Sequence, residues 1–209
     1  MRIGIVGSGH IGGTLARLFT RAGHTVVVSN SRGPESLKDL IDELGPTASA
    51  GTVSEAAEAS EVVVIAIPWR ATDSLPAPKS VAGKIVIDAM NPYQAGGEVD
   101  FGDSTSSEET AKRLPGARLV KAFNTTWYKH LADNGRVDLP VDERHAIFLA
   151  SDDVEAKSVV SSLIESIGFA PVDTGTLRTG GRRQRVGSPI YNVPMTGSKA
   201  REIVAALPA

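Results

Sequence analysis

Short runs of β-branched residues alternate along this chain with stretches whose apolar residues return every three or four positions. Each run reads as a strand and each stretch as an amphipathic helix, so the pattern predicts β-α-β units and a mostly parallel sheet covered by helices. Arg2 to Val6 predicts the first strand, and Ile11, Leu15, Leu18, Phe19 and Ala22 predict a helix that Gly23 ends. Thr25 to Val28 predicts the second strand, followed by a helix that Pro34 opens and that carries Leu37, Leu40, Ile41 and Leu44. Thr47 to Ala50 predicts a short third strand, and Thr52 with Glu55 forms a capping pair for the small Ala-rich helix after it. Val62 to Ile67 is almost wholly apolar, as expected of a parallel strand buried on both faces, and Pro68 stops it. Lys84 to Asp88 and Arg118 to Ala122 predict two more strands, separated by a Ser/Thr-capped helix that leads to Leu114-Pro115-Gly116.

The pattern weakens twice. Tyr93 to Ser104, rich in Gly, Gln and Asp, predicts a surface loop, and Asn134 to Asp142 is broken by Gly135 and Pro140. Beyond that break, Ala146 to Ala150 predicts a strand, Val160, Leu163, Ile164 and Ile167 a helix, and a further strand ends near Thr174. A short helix around Ile203 and Val204 closes the chain.

Composition narrows the function classes. The 209 residues are 41% hydrophobic and 22% charged, enough for one good core with at most a small satellite. A net charge of -2 argues against nucleic acid as the main partner. With no cysteine, disulfide frameworks, thiolate zinc sites and cysteine nucleophiles are excluded. No apolar run approaches the ~20 residues of a membrane span, and a single Arg precedes the first strand, so no secretory leader and a cytoplasmic location are expected.

Candidate chemistry lies at the ends of the predicted strands. Gly7-Ser8-Gly9-His10-Ile11-Gly12 is a GxGxxG motif placed between a strand and a helix inside a β-α-β unit. There the first glycine permits the tight turn, the second lets a pyrophosphate approach the backbone, and the third lets helix pack on strand. The helix N-terminus offers free N–H groups to the phosphates. The expected fold is therefore a Rossmann doubly wound parallel sheet over residues 1–135, with a small C-terminal α+β subdomain over residues 136–209 on the substrate or dimer side. The second strand ends in Ser29-Asn30-Ser31-Arg32 with no carboxylate before Glu35, which favours the 2′-phosphate of NADP over the ribose hydroxyls of NAD. Ile67-Pro68-Trp69, Asn91-Pro92 and Ala122-Phe123-Asn124-Thr125 follow other strands and are expected to border the nicotinamide half. Trp69 either packs on cofactor or lids a helix; Phe123 offers an apolar wall and Asn124 an amide for the nicotinamide carboxamide; His10 either touches a phosphate or is a plain loop residue. No GxSxG, HExxH or Tyr-x-x-x-Lys pattern is present, so no acid, base, nucleophile or metal site is expected.

Gly7 to Gly12, Ser29 to Arg32, Ala66 to Trp69, Leu114-Pro115-Gly116 and above all Val120-Lys121-Ala122-Phe123-Asn124-Thr125 resemble the coenzyme F-420-dependent NADP oxidoreductases over roughly Met1 to Thr174. The resemblance implies a homodimer that transfers a hydride between NADP(H) and the deazaflavin F-420, a small-molecule redox acceptor, with no nucleic-acid or membrane partner. Such a transfer needs stacking and distance control more than a strong acid or base. Arg178, Arg182, Arg183 and Arg185 depart from the family pattern, and they suit either the anionic tail of F-420 or a solvated basic loop or dimer contact. Two other readings of the same residues are an NADPH-dependent reductase of a small imine or ketone, of the pyrroline-carboxylate-reductase kind, and a non-enzymatic NADP sensor.

Overall fold

The computed structural model describes residues 1–208. Its first half is built from β1 (Arg2–Val6), α1 (His10–Arg21), β2 (Thr25–Ser29), α2 (Lys38–Leu44), β3 (Ala48–Ala50), α3 (Val53–Glu58), β4 (Val62–Ile65), α4 (Pro78–Val81) and β5 (Ile85–Asp88). A two-stranded hairpin, β6 (Tyr93–Gln94) and β7 (Gly97–Glu98), precedes α5 (Ser106–Arg113), β8 (Arg118–Ala122) and α6 (Tyr128–Asp133). The last part holds β9 (Ala146–Ala150), α7 (Val154–Ser166), β10 (Ala170–Asp173), α8 (Leu177–Arg183) and α9 (Gly197–Ala206). Short 3-10 turns cover Pro34–Leu37, Trp69–Ser74 and Val141–Glu143.

Eight strands form one sheet in the order β10-β9-β8-β5-β4-β1-β2-β3. Strands β1 to β5 and β8 run parallel; β9 joins β8 antiparallel, pairing Lys121 with Ala150 and Ala122 with Leu149. β10 runs parallel to β9. This is the doubly wound α/β fold read from the sequence, and the strands after residue 136 extend its main sheet.

Alternation along each strand divides the interior into two layers. Val62 and Val64 of β4 and Val120 and Ala122 of β8 face a core completed by Leu15 and Phe19 of α1 and Val160 and Ile164 of α7. Val63, Ile65, Val86 and Leu119 face the other side, against Ala57 of α3, Val81 of α4 and Leu177 of α8. A smaller cluster joins Phe148 of β9 and Val172 of β10 to Ala200 and Val204 of α9. The helices begin where side chains satisfy their first N–H groups. Thr52 and Glu55 make a reciprocal capping box at α3, and Thr105 and Glu108 repeat it at α5.

Three local features differ from the sequence reading. β4 stops at Ile65, although the Ala66 N–H still donates to the Val6 carbonyl at 2.8 Å, and Ala66 and Ile67 lie against Gly7. The Tyr93 to Ser104 loop contains the short β6–β7 hairpin. The Gly- and Arg-rich stretch after Thr176 is a helix, α8, whose N–H at Thr179 is capped by the Thr176 hydroxyl. No helix among the described residues is long and apolar enough to cross a membrane.

Candidate active site

The carboxyl ends of β1, β2, β4, β5 and β8 lie on one edge of the sheet, where open α/β sheets bind ligands. At β1 the chain turns through Gly7, whose N–H donates to the Ser29 carbonyl at 2.9 Å. A Cβ on Gly7 would lie 2.4 Å from the Ala66 carbonyl oxygen, and one on Gly12 would lie 1.8 Å from the Gly7 carbonyl oxygen. Gly9 differs: a Cβ there would meet nothing within 4 Å, and the residue is exposed with His10. Gly9 also caps α1 without any side-chain hydrogen bond. The first turn therefore keeps its N–H groups and positive dipole end for an outside anion.

The end of β2 is wired to this loop. Asn30 Nδ2 donates to Ser8 Oγ at 3.2 Å and to Ser36 Oγ at 2.9 Å, while Asn30 Oδ1 accepts from the Arg32 N–H at 2.9 Å. Ser31 and Arg32 are exposed, and the Arg32 guanidinium has no acceptor among the described residues. Ser29 is buried, and its hydroxyl is spent on the Ile5 carbonyl at 3.2 Å.

At β4, Ile67 and Pro68 reach the rim, whereas Trp69 is only 4% exposed and packs edge-on against Phe101 at 5.3 Å. Trp69 and Pro92 lie below the edge, as do Ala122 and Phe123, which are fully buried. Phe123 owes this to a left-handed backbone (φ 65°), which turns its ring into the α1 layer, 6.4 Å from Phe19. The same twist sends Asn124 toward the other layer. There Asn124 Nδ2 donates to Asn91 Oδ1 at 3.3 Å and to the Gln184 carbonyl at 3.1 Å. Asn91 Nδ2 donates to the Asn124 carbonyl at 2.9 Å and to the Tyr191 hydroxyl at 3.2 Å. Thr125 is buried, and its carbonyl accepts from the Asn192 N–H at 2.8 Å. Asn124 Oδ1 is left buried with no partner.

A cleft of about 1040 Å³ opens beside Asn91 and Asn124, between the Glu98–Ser106 loop and the segment from Gly181 to Pro189. Its walls carry opposite charge, with Glu98, Asp100 and Asp103 facing Arg182 and Arg185. Arg182 donates to the Asp103 carbonyl at 2.8 Å. Arg183 is committed to the carbonyls of Thr174, Leu207 and Pro208, all at 3.0 Å. Arg185 has no such partner, and Arg178 does not line the cleft. Lys121 also reaches it from β8 although only 2% exposed, donating to the Met90 carbonyl and Ser106 Oγ at 3.3 Å. Burial lowers the Lys121 ammonium's pKa, and Asp88 4.0 Å away pulls it back up. A second groove, of about 610 Å³, runs along α1 from the glycine loop, where the His10 and Tyr128 rings stack at 4.1 Å.

The family profile of coenzyme F420-dependent NADP oxidoreductases matches residues 2–92, which include the glycine loop and the Ser29–Arg32 turn. Along its whole length the chain is similar to the hypothetical protein SMa0349 of Sinorhizobium meliloti, at 34% identity and a TM-score of 0.80, covering 94% of this chain and 95% of that one. Residues 2–92 carry the F420-dependent NADP oxidoreductase family's signature. A protein from Arthrobacter sp. FB24, named for F420-dependent NADP reduction, shares the fold at 24% identity and a TM-score of 0.74, covering 87% and 88% of the two chains. An imine reductase from Myxococcus stipitatus also shares it, at 16% identity and a TM-score of 0.64, with 99% of this chain matched to 60% of that one. Among curated proteins, the metalloreductase STEAP3 of Rattus norvegicus is 31% identical over 84% of this chain. The chain spans about a third of that relative's length, 34%.

The matched family is one of NADP-dependent oxidoreductases, the fold is a Rossmann nucleotide-binding one, and the residues fit that cofactor. Gly9 leaves open space above the α1 N-terminus, Arg32 is a guanidinium unspent among the described residues beside the exposed Ser31, and Asn124 Oδ1 is an orphaned acceptor at the far end. Sequence reasoning missed Lys121 as an individual residue, the buried Asp88 beside it, and Tyr191. A charge inside the apolar run Leu119-Val120-Lys121-Ala122 was the available signal for the first. Nothing local marks Tyr191, which meets Asn91 across 100 residues of chain.

Proposed function

We propose that this protein transfers a hydride between NADP(H) and coenzyme F-420 or a similar flavin-like acceptor. The observation that carries this reading is the cleft of about 1040 Å³ that begins at Asn91 and Asn124, where β5 and β8 end beside the cofactor edge. Its size suits a tricyclic ring with a side chain. The α1 N-terminus with Ser8 to Gly12 holds the pyrophosphate; Ser31 and Arg32 hold the 2′-phosphate; Asn91 and Asn124 receive the nicotinamide end, with Ile67 and Pro68 on its flank. The nicotinamide supplies the hydride when bound. Arg185 is the cleft cation free to meet an anionic acceptor tail, since Arg182 and Arg183 already hold carbonyls. Under this reading the protein is a cytoplasmic homodimer.

The test is direct: purified protein, NADPH and oxidised F-420 are mixed and the visible absorbance of the deazaflavin is followed. Bleaching that depends on both protein and NADPH is expected. Tight NADPH binding without turnover of F-420, FMN or FAD would reject the proposal. The likeness to STEAP3 spans 84% of this chain and so reaches well past the matched residues 2–92. It supports a second reading, in which the two electrons of one NADPH hydride reduce a metal ion or a pair of them. NADPH-dependent reduction of a metal chelate without turnover of F-420 would favour this second reading.

A further inference from the structure

The unspent hydrogen-bonding groups at the nicotinamide end form a complementary set. Asn91 is saturated: its Nδ2 serves the Asn124 carbonyl at 2.9 Å and the Tyr191 hydroxyl at 3.2 Å, and its Oδ1 accepts from Asn124 Nδ2 at 3.3 Å. Asn124 Nδ2 is saturated as well, shared between Asn91 Oδ1 and the Gln184 carbonyl at 3.1 Å. Of the groups still unspent here, which include Gln184 Oε1 and Ser188 Oγ, two lie on residues bonded to the Asn91 amide. One is an acceptor, Asn124 Oδ1, which is buried and unpartnered on a residue 3% exposed. The other is a donor, the Tyr191 O–H. It accepts from Asn91, and its other hydrogen-bonding neighbour among the described residues is the Tyr93 hydroxyl at 3.4 Å, a pair in which either oxygen can donate. That is well beyond the roughly 2.7–2.8 Å of a good O–H···O bond. One acceptor and one donor on two residues that bond the same Asn91 amide match the needs of a primary carboxamide, which has N–H to give and C=O to receive.

We propose that Tyr191 and Asn124 together read the nicotinamide carboxamide, Tyr191 donating to its oxygen and Asn124 Oδ1 accepting from its N–H. The assignment rests on the NADP(H) reading above and adds Tyr191 as a positioning residue, since it fixes the angle of the ring rather than touching its C4. The backbone around it is built to hold still. Asn192, the next residue, is left-handed (φ 57°) and its N–H donates to the Thr125 carbonyl at 2.8 Å, so the Tyr191 segment is pinned to the end of β8. Partial burial pushes the Tyr191 hydroxyl's pKa above its ordinary value, and the group stays a donor throughout the neutral range.

The test separates the nicotinamide from the rest of the cofactor. Full-length wild type and Tyr191→Phe are titrated with NADPH and with 2′-phospho-ADP-ribose, which lacks the nicotinamide, following protein fluorescence. Loss of one uncharged hydrogen bond predicts NADPH binding weaker by about 3- to 10-fold in the variant, with 2′-phospho-ADP-ribose unchanged. Asn91 keeps the Asn124 carbonyl as a partner, so the variant retains its fold, and an unaltered melting temperature checks this. On wild type, the 3-acetylpyridine analogue of NADP, which replaces the amide NH₂ by a methyl, is expected to bind more weakly than NADP by a similar factor. Equal weakening of NADPH and 2′-phospho-ADP-ribose, or unchanged NADPH affinity, overturns the inference alone. A wild-type protein that binds neither ligand overturns the cofactor reading and this inference with it.

Discussion

Under the proposed function, Arg32 is the residue on which the choice of dinucleotide turns. It stands at the end of β2, where an acidic residue would hold the ribose hydroxyls of NAD and repel a 2′-phosphate. Its guanidinium is exposed and has no acceptor among the described residues, so it can close on a phosphate without breaking an existing contact. The neighbouring Asn30 fixes the turn through Ser8, Ser36 and the Arg32 N–H, which keeps the side chain poised while leaving its charge unspent. A charge-assisted contact of this kind is worth about 1.5–3 kcal/mol, or roughly 10- to 100-fold in affinity. Arg32→Ala is therefore expected to weaken NADPH binding by that factor and to leave NADH binding nearly unchanged. Parallel titrations with the two cofactors measure it. Equal losses would mean that Arg32 is only a solvated turn residue. Ser29 illustrates the limit of reading such a motif by type, since its hydroxyl belongs to the β1–β2 ladder and not to the ligand.

At the scale of elements, what the sequence made legible was whatever a local pattern encodes. Runs of β-branched and apolar residues marked the parallel strands, period-3.6 hydrophobicity marked α1 and α7, and the Thr52–Glu55 pair marked the start of α3. The Gly7 to Gly12 loop and the Ser29 to Arg32 turn were legible because each is one continuous segment. What escaped depends on contacts between distant segments. α8 was hidden because Gly180 and Gly181 read as flexible, whereas they are small so that the helix can press close to its neighbours. A Cβ on Gly180 would lie 2.4 Å from the Ala150 Cβ and 2.5 Å from Thr174 Oγ1. Gly180→Ala is accordingly expected to cost about 1–3 kcal/mol by overpacking despite the better helix propensity of Ala. Gly96→Ala, where a Cβ would meet nothing within 4 Å, serves as the neutral control. Urea midpoints compare them, and a Gly180 variant as stable as the control would show that α8 does not depend on this close packing. The cleft was illegible for the same reason, being assembled from the hairpin region, α5, β8 and the stretch after α8.

At the scale of the whole molecule, two titrating groups lie at the seam where the antiparallel β9 joins the parallel sheet. Arg118 at the start of β8 grips Asp153, the cap of α7, at 2.6 and 2.9 Å, and reaches Glu155 at 3.1 Å. Its guanidinium lowers the Asp153 carboxyl from its usual 3.8 to about 2. His145, just before β9, is largely buried between His130 and Phe169, and burial first, then the His130 charge, lowers it from 6.5 to about 4. Both shifts make acid destabilising, in different windows. Between about 6.5 and about 4 the unfolded chain protonates its imidazole while the folded chain does not, so stability falls until the folded His145 titrates. Between 3.8 and about 2 the unfolded carboxyl takes up its proton first, and the stability contributed by the Asp153–Arg118 pair is lost as pH drops. Melting temperatures across pH should therefore decline in two stages. His145→Gln is expected to flatten the upper stage alone. Asp153→Asn is expected to make the lower stage shallower without touching the upper one, since Asn still caps α7 and removes only the charge, while Asp138, held down by Arg136, keeps part of that stage. A variant that lowers the melting temperature by the same amount at every pH would show that its residue acts by packing or capping and not through its proton.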